Sequence, residues 1–256
     1  MFNTFETLHF VYLGGTLLIM GIALFLIFKF KPSFKLVFTI ASILSIISEV
    51  VKTFSSIEFY ALGGVEGAEL IPYISMGHFP LHLCAIQVFL IIIVWLLKPE
   101  CKIRTTLLGF MFPTMILGAT LALILPGEMT IANPRTYQYF LFHGMLVVLG
   151  IYIMTNKEIN LKPIHSLTSL GLLGIFGLVS IYANSLFASF SYQNGEKTLE
   201  DMTNLFFTMR SPVGFLPKFT EPYHWWIYIS CVLLIAVIAI GLFYLPVFIR
   251  ALKKQK

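Results

Sequence analysis

His78-Phe79-Pro80-Leu81-His82-Leu83-Cys84-Ala85-Ile86-Gln87-Val88-Phe89-Leu90-Ile91-Ile92-Ile93-Val94-Trp95-Leu96-Leu97 is a run of 20 residues with no Asp, Glu, Lys or Arg. About 20 apolar residues are what a helix needs to cross a hydrocarbon layer roughly 30 Å thick. Outward from this run, six more stretches are long and apolar enough to span, at roughly 8–28, 36–54, 105–125, 136–155, 164–188 and 225–249. With 58% hydrophobic and 11% charged positions, the chain carries more apolar surface than one water-exposed core can hide. The reading is an all-α polytopic membrane protein, a seven-transmembrane-helix bundle forming one domain over residues 1–256, with an extracytoplasmic loop at about 189–222.

Basic residues set the expected orientation, because Lys and Arg stay on the cytoplasmic side during insertion. They gather in every second connection: Lys29, Lys31 and Lys35; Lys98, Lys102 and Arg104; Lys157 and Lys162; Arg250, Lys253, Lys254 and Lys256. The alternate connections carry Glu58, Glu66 and Glu69, then Glu128 with Arg135, then a mixed, slightly acidic loop. The N-terminus is therefore expected outside and the C-terminus inside. Residues 1–10 hold Glu6 and no basic cluster, so the first stretch reads as a retained span. The net charge of +5 is a topology signal and gives no reason to expect nucleic-acid binding. Cys84, Cys101 and Cys231 fall in different segments and suggest no disulfide framework. No nucleotide-binding or regular zinc spacing is present, so no cofactor and no metal is expected.

In so apolar a chain, polar groups inside the spans are the informative ones. Gly77 through Cys84 brings two imidazoles and a thiol to the mouth of the third span. Pro80 suits the first helical turn and disfavours helical geometry at Phe79, which leaves His78 in the preceding loop. His82 and Cys84, two residues apart, differ by about 200° on a regular helix, so both face one pocket only if the first turn is irregular. His82 is the favoured inward residue, and Cys84 reads as either a nucleophile or a small packing side chain. Glu49 sits about 7 Å inside the outer end of the second span, to pair with Lys52 or to join a buried polar site.

His143 in the fifth span lies roughly 9 Å below the interfacial Tyr137 and is expected at the depth of His82. Asn184 and Ser185 near the outer end of the sixth span are candidates to line the same cavity. The loop holding Thr203 to Pro212, with Asn204 and Arg210, is aromatic and is expected to fold onto the membrane surface. Residues 55–77, with their glycines and glutamates, read as an extracytoplasmic loop with one partly amphipathic turn. Pro113, between Gly109 and Gly118, reads as a scaffold kink. His9 and His224 read as interfacial, and His165 as cytoplasmic.

With these residues in view, the chain resembles the YwaF-type bacterial integral membrane proteins, which look related to eukaryotic multispan ether-phospholipid acyltransferases. The likeness rests on Pro80-Leu81-His82-Leu83-Cys84, Glu49, His143, and Asn204 through Pro212 leading into an aromatic helix start. It implies a catalytic pair made of His143 and a nucleophile beside His82. In the eukaryotic pattern the cysteine directly precedes the histidine; here Leu81 stands in that place and the thiol follows two residues after His82.

Three functions are compatible with these residues. The first is acyl transfer between membrane lipids at the extracytoplasmic side of a bacterial plasma membrane. His143 or His82 would be the general base, Cys84 acyl carrier or bystander, and Asn204 or Arg210 a partner for phosphate or oxyanion. The second is a metal-dependent lipid hydrolase built from His78, His82, His143 and Glu49. The third is a small-molecule transporter, against which stands the confinement of the candidate residues to the outer half. Membrane lipids are the expected partners; the sequence leaves the oligomeric state open.

Overall fold

The computed structural model describes residues 4–61, 69–78, 80–126, 129–131, 133–193, 196–210 and 219–253. Among them are seven α-helices: α1 (Thr7–Phe30), α2 (Phe34–Ser55), α3 (Leu83–Leu96), α4 (Lys102–Ile124), α5 (Pro134–Thr155), α6 (Ile164–Leu186) and α7 (Pro222–Lys253). Two short hairpins interrupt them, β1 (Ile57–Ala61) with β2 (Leu70–Ile74) and β3 (Ser189–Gln193) with β4 (Glu196–Asp201). Six of the helices are long and apolar enough to cross a membrane; α3 is apolar but spans only 14 residues.

The helix ends follow from local chemistry. Lys31 takes a left-handed conformation (φ 47°) and Pro32 follows it, which stops α1. Ser33 Oγ then accepts the Leu36 N–H at 3.3 Å to open α2. Asn133 caps α5 by accepting the Arg135 N–H at 2.9 Å, with Pro134 at the first helical position, where a missing N–H costs nothing.

α3 begins later than expected. His78 closes a 3-10 turn (Met76–His78), Pro80 and Leu81 form a turn, His82 lies in a bend, and the helix starts at Leu83. Phe79 lies outside the described residues. Pro80 thus precedes the helix instead of occupying its first turn, and the 200° argument for His82 and Cys84 no longer applies because only Cys84 is helical.

Each of the two stretches expected as extracytoplasmic loops, 55–77 and 189–222, contains a hairpin. Ile57-Glu58-Phe59-Tyr60-Ala61 pairs antiparallel with Leu70-Ile71-Pro72-Tyr73-Ile74, and β-branched and aromatic side chains favour such ladders. Pro72 is tolerated because a two-stranded sheet has only edge strands. Gly63, Gly64 and Gly67, with Glu66, lie outside the described residues.

The described residues divide into two compact units, those of 1–78 and 84–160 and those of 79–83 and 161–256. In the first, α5 is the central helix and packs on α1, α2 and α4. Two glycines make this possible. A Cβ on Gly144 would sit 2.8 Å from Thr16 Cγ2 of α1, and one on Gly150 would sit 2.7 Å from Ile116 Cγ1 and 3.1 Å from the Phe112 carbonyl oxygen of α4. In the second unit, α6 packs on α7 and on a 3-10 turn at Leu205–Phe207. Many large apolar side chains face outward. α1 buries only His9 and Thr16 and exposes Leu17, Leu18 and Phe25, the surface expected of a helix solvated by lipid.

Candidate functional site

The six histidines sort by what their ring nitrogens do. Three of them satisfy backbone N–H groups at helix starts, where four donors otherwise lack intrahelical partners. His9 Nδ1 accepts the Phe5 N–H at 3.0 Å, His165 Nδ1 accepts the Lys162 N–H at 3.0 Å, and His224 Nδ1 accepts the Glu221 N–H at 3.2 Å. His9 is fully buried, where an interfacial position was expected, and its Nε2–H donates to the Leu123 carbonyl at 2.9 Å. Both of its nitrogens are committed to the fold.

His143 has the opposite arrangement. Its Nδ1 lies 2.7 Å from the Tyr139 carbonyl oxygen one turn earlier on α5. A carbonyl only accepts, so Nδ1 carries the proton and Nε2 of the neutral ring keeps its lone pair. Among the described residues none hydrogen-bonds Nε2, although the residue is only 8% exposed. The Tyr139 ring lies against the imidazole with centroids 4.2 Å apart, and its hydroxyl donates to the Ala122 carbonyl at 2.8 Å. The half-buried Cys84 thiol is within electrostatic reach of Tyr139. Tyr139 thus packs on the His143 ring and has Cys84 in its electrostatic neighbourhood.

The other candidates of the first unit have different partners. Glu49 forms an ion pair with Lys52 at 2.6 Å, three residues along α2. His78 faces Arg135, with Nη1 and Nη2 each 3.2 Å from a ring nitrogen. A guanidinium only donates and a neutral imidazole has one lone-pair nitrogen, so one of these contacts at a time is a hydrogen bond. A groove of about 760 Å³ at the ends of α2 and α5 is walled by Val50, Val51, Phe54 and Pro134, with Ser55, Thr130 and Asn133 as its polar lining.

In the second unit, the His82 ring lies 6.1 Å from that of the exposed Phe207. Asn184 is fully buried and spends every hydrogen-bonding group on the loop above it. Its Oδ1 accepts from Leu205 N–H and Thr203 Oγ1, both at 2.8 Å, and its Nδ2 donates to the Leu205 carbonyl at 3.1 Å and Thr208 Oγ1 at 3.0 Å. Asn204 folds the same loop on itself, accepting the Met209 and Arg210 N–H groups at 3.1 Å and donating to the Arg210 carbonyl at 2.8 Å. Both asparagines are thus loop anchors. The Arg210 side chain is exposed, while Ser211 and Pro212 lie outside the described residues. Phe206 (φ 57°) and Phe207 (φ 52°) both adopt left-handed backbone, a costly conformation for bulky side chains. The Trp225 indole N–H to the Thr208 carbonyl at 2.9 Å and the Tyr228 hydroxyl to the Phe207 carbonyl at 2.7 Å hold it there.

Sequence reading missed Gln87, which is fully buried one turn along α3 from Cys84 and donates from Nε2 to Thr114 Oγ1 at 3.0 Å. An amide inside an uninterrupted apolar run was the signal that pointed to it. Among the described residues, no group of three or more His, Cys, Asp or Glu side chains lies close enough together to hold a metal ion.

Six apolar helices long enough to cross a membrane, with many large apolar side chains facing outward, define a multi-pass membrane protein. The chain belongs to the TMEM164 family, whose family model matches residues 4–244. No curated protein and no solved structure matches it.

Proposed function

We propose that the protein is a His-dependent transacylase that moves a fatty acyl chain between membrane lipids at the extracytoplasmic face of a bacterial plasma membrane. The observation that carries this reading is His143: a buried neutral imidazole with Nδ1–H fixed by the Tyr139 carbonyl and Nε2 left as the basic nitrogen, packed against the Tyr139 ring. The likeness to YwaF-type proteins and their acyltransferase relatives points the same way.

In the reaction, the acceptor's hydroxyl oxygen attacks the ester carbonyl carbon of a donor phospholipid while His143 Nε2 takes the hydroxyl proton. The bond from that carbon to the donor's glycerol oxygen breaks, and His143 returns the proton to that oxygen, leaving a lysophospholipid and a newly acylated acceptor. The Tyr139 carbonyl holds the ring through both transfers and favours the imidazolium that forms between them. A variant of the scheme routes the acyl group through a Cys84 thioester, with the same net exchange. Arg210 is proposed to bind lipid phosphate, with Asn204 as its positioning residue; His82 is kept as the alternative base and His78 as a substrate-binding residue, and the groove at the ends of α2 and α5 is proposed to take an acyl chain.

Seven crossings with the N-terminus outside suit this sidedness. α2 carries the chain away from the side of Lys29–Lys35, and only a crossing by α3 returns Lys98, Lys102 and Arg104 to it. A site opening outward has no access to cytosolic acyl-CoA, so a membrane phospholipid is the donor. Lipid mass spectrometry of membranes from cells expressing wild type, His143→Ala or His82→Ala tests the reading. An altered acyl-chain distribution that depends on His143 is expected; identical distributions in all three, at equal protein levels, would remove it.

A further inference from the structure

The buried amide of Gln87 has an unused half. Thr114 Oγ1 lies 2.7 Å from the Phe110 carbonyl, which can only accept, so the Thr114 hydroxyl donates there and presents its lone pairs to Gln87. The amide atom facing Thr114 must then be Nε2, which fixes the orientation of the group. Gln87 Oε1 is left on the other arm, fully buried and, among the described residues, with no hydrogen-bond partner. Ser42 and Ser45 hydroxyls of α2 are also buried and unpartnered, but a helical serine rotates to its own i−4 carbonyl at little cost, whereas the anchored Gln87 amide has no such recourse. An orphaned buried acceptor costs more than the same position filled by an apolar side chain. Gln87 and Cys84 are separated by three residues on a regular stretch of α3 and so stand about 60° apart on one face. Cys84, one turn nearer the helix start, is of intermediate exposure, whereas Gln87 is fully buried.

We propose that Gln87 Oε1 is a specificity-determining acceptor that reads a second, non-reacting hydroxyl on the acyl acceptor. This rests on the acyl-transfer reading above. A hydroxyl has one proton to give; the reacting hydroxyl gives it to His143 Nε2, so the group that satisfies Gln87 has to be another. The preferred acceptor class is therefore a lipid with neighbouring hydroxyls, such as a monoacylglycerol, and a lipid with one hydroxyl is a poorer substrate by about tenfold, the worth of one buried hydrogen bond.

The test uses the full chain in nanodiscs, with 1-oleoylglycerol and the monooleate of propane-1,2-diol as acceptors and phosphatidylcholine as donor. Two measurements are made: relative acylation rates in competition, and relative binding by native mass spectrometry. Wild type is expected to favour 1-oleoylglycerol, which keeps two free hydroxyls, in both by about tenfold. Gln87→Leu, which also removes the orphan, is expected to fold at least as stably and to lose the preference. Thr114→Val, which unlocks the amide, is expected to weaken the preference without abolishing it. Equal binding and equal rates for the two acceptors in wild type would overturn the assignment of Gln87 while leaving acyl transfer standing. A binding preference that depends on Gln87 without any acyl exchange would uphold the assignment and remove the transfer reading. A preference retained in Gln87→Leu would overturn the assignment.

Discussion

Asn184 grips Leu205 by both ends of its peptide group, accepting the Leu205 N–H at 2.8 Å and donating to the Leu205 carbonyl at 3.1 Å. This bidentate contact ties α6 to a loop whose next two residues, Phe206 and Phe207, are held in left-handed backbone. Removing the amide leaves the buried Leu205 N–H without its partner, at about 1–3 kcal/mol, and takes one donor from the Leu205 carbonyl, which keeps the Thr208 N–H and Oγ1. The loop strain, about 1–3 kcal/mol per residue, then favours release. Asn184→Ala is expected to destabilise the protein by about 1–3 kcal/mol and to expose residues 203–210 to protease in detergent. Asn184→Asp keeps the acceptor but loses both donors, so it is expected to recover none of the Leu205 carbonyl contact. Limited proteolysis with mass-spectrometric mapping reads both variants. An unchanged digestion pattern in Asn184→Ala would remove the clamp from the account.

The two close helix approaches along α5 differ in what stands in the way. At Gly150 an added Cβ meets a backbone oxygen, Phe112 O, at 3.1 Å as well as Ile116 Cγ1 at 2.7 Å, and a backbone cannot step aside without moving α4. At Gly144 the obstacles are side chains, Thr16 Cγ2 at 2.8 Å and Met20 at 3.3 Å. Gly150→Ala is expected to cost about 1–3 kcal/mol and Gly144→Ala less. Thr16→Ser, which deletes the offending methyl, is expected to rescue Gly144→Ala specifically. Thermal unfolding of the four variants in one detergent decides it: a Gly144→Ala defect that Thr16→Ser leaves untouched would contradict the packing described.

The sorting of histidines predicts a separation of stability from turnover. His9→Ala removes the buried donor to the Leu123 carbonyl and the part-buried acceptor of the Phe5 N–H, so it is expected to lower stability by about 1–3 kcal/mol while each folded molecule keeps its activity. His224→Ala, at an exposed cap, is expected to cost about 0.5–1 kcal/mol. His143→Ala is expected to do the reverse, sparing the fold and abolishing lipid exchange. A His9→Ala protein that is stable but inactive would mean that the buried His9 has been assigned the wrong role.

What could be read from the sequence was what is local in it. Each long span announces itself through its own composition, and Asn133-Pro134 and Lys31-Pro32 carry the chemistry of helix ends in adjacent residues. Long-range partners do not announce themselves. Tyr139 looks like any interfacial tyrosine until α3 and α5 bring Cys84 and His143 to it. Asn184 looks like a cavity residue until Leu205, 21 positions on, consumes it, and Gln87 looks like packing until Thr114, 27 positions on, fixes its amide. The β1–β2 hairpin was hidden by the glycines that separate its strands in the sequence, although Phe59-Tyr60 and Ile71 to Ile74 carried the aromatic and β-branched pattern on either side. The late start of α3 came from a cumulative local effect: a 3-10 turn at His78, a proline that bars helix before it, and two further residues of turn before Leu83.

The three thiols test the topology. Cys101 is half-buried at the N-cap of α4 between Lys98 and Lys102, Cys84 lies at the start of α3, and Cys231 is exposed on α7 beside the exposed Val232 and Leu233. α3 has 14 residues, about 21 Å at 1.5 Å per residue, which is short of a 30 Å hydrocarbon layer. If α3 crosses nonetheless, helped by local thinning or by the turn residues before it, Cys84 and Cys101 open to opposite sides. Single-cysteine variants in sealed vesicles are expected to show Cys101 labelled by a membrane-impermeant maleimide only when the vesicles are inside-out. Cys84 is expected to label slowly and only from the outside, and Cys231 only with a permeant reagent, since it faces lipid. Cys84 and Cys101 reacting from the same side would make α3 re-entrant and leave six crossings. Because six crossings put both termini on one side, the basic C-terminal end of α7 would then share a face with the N-terminus, against the charge pattern that Lys29, Lys31 and Arg250 impose.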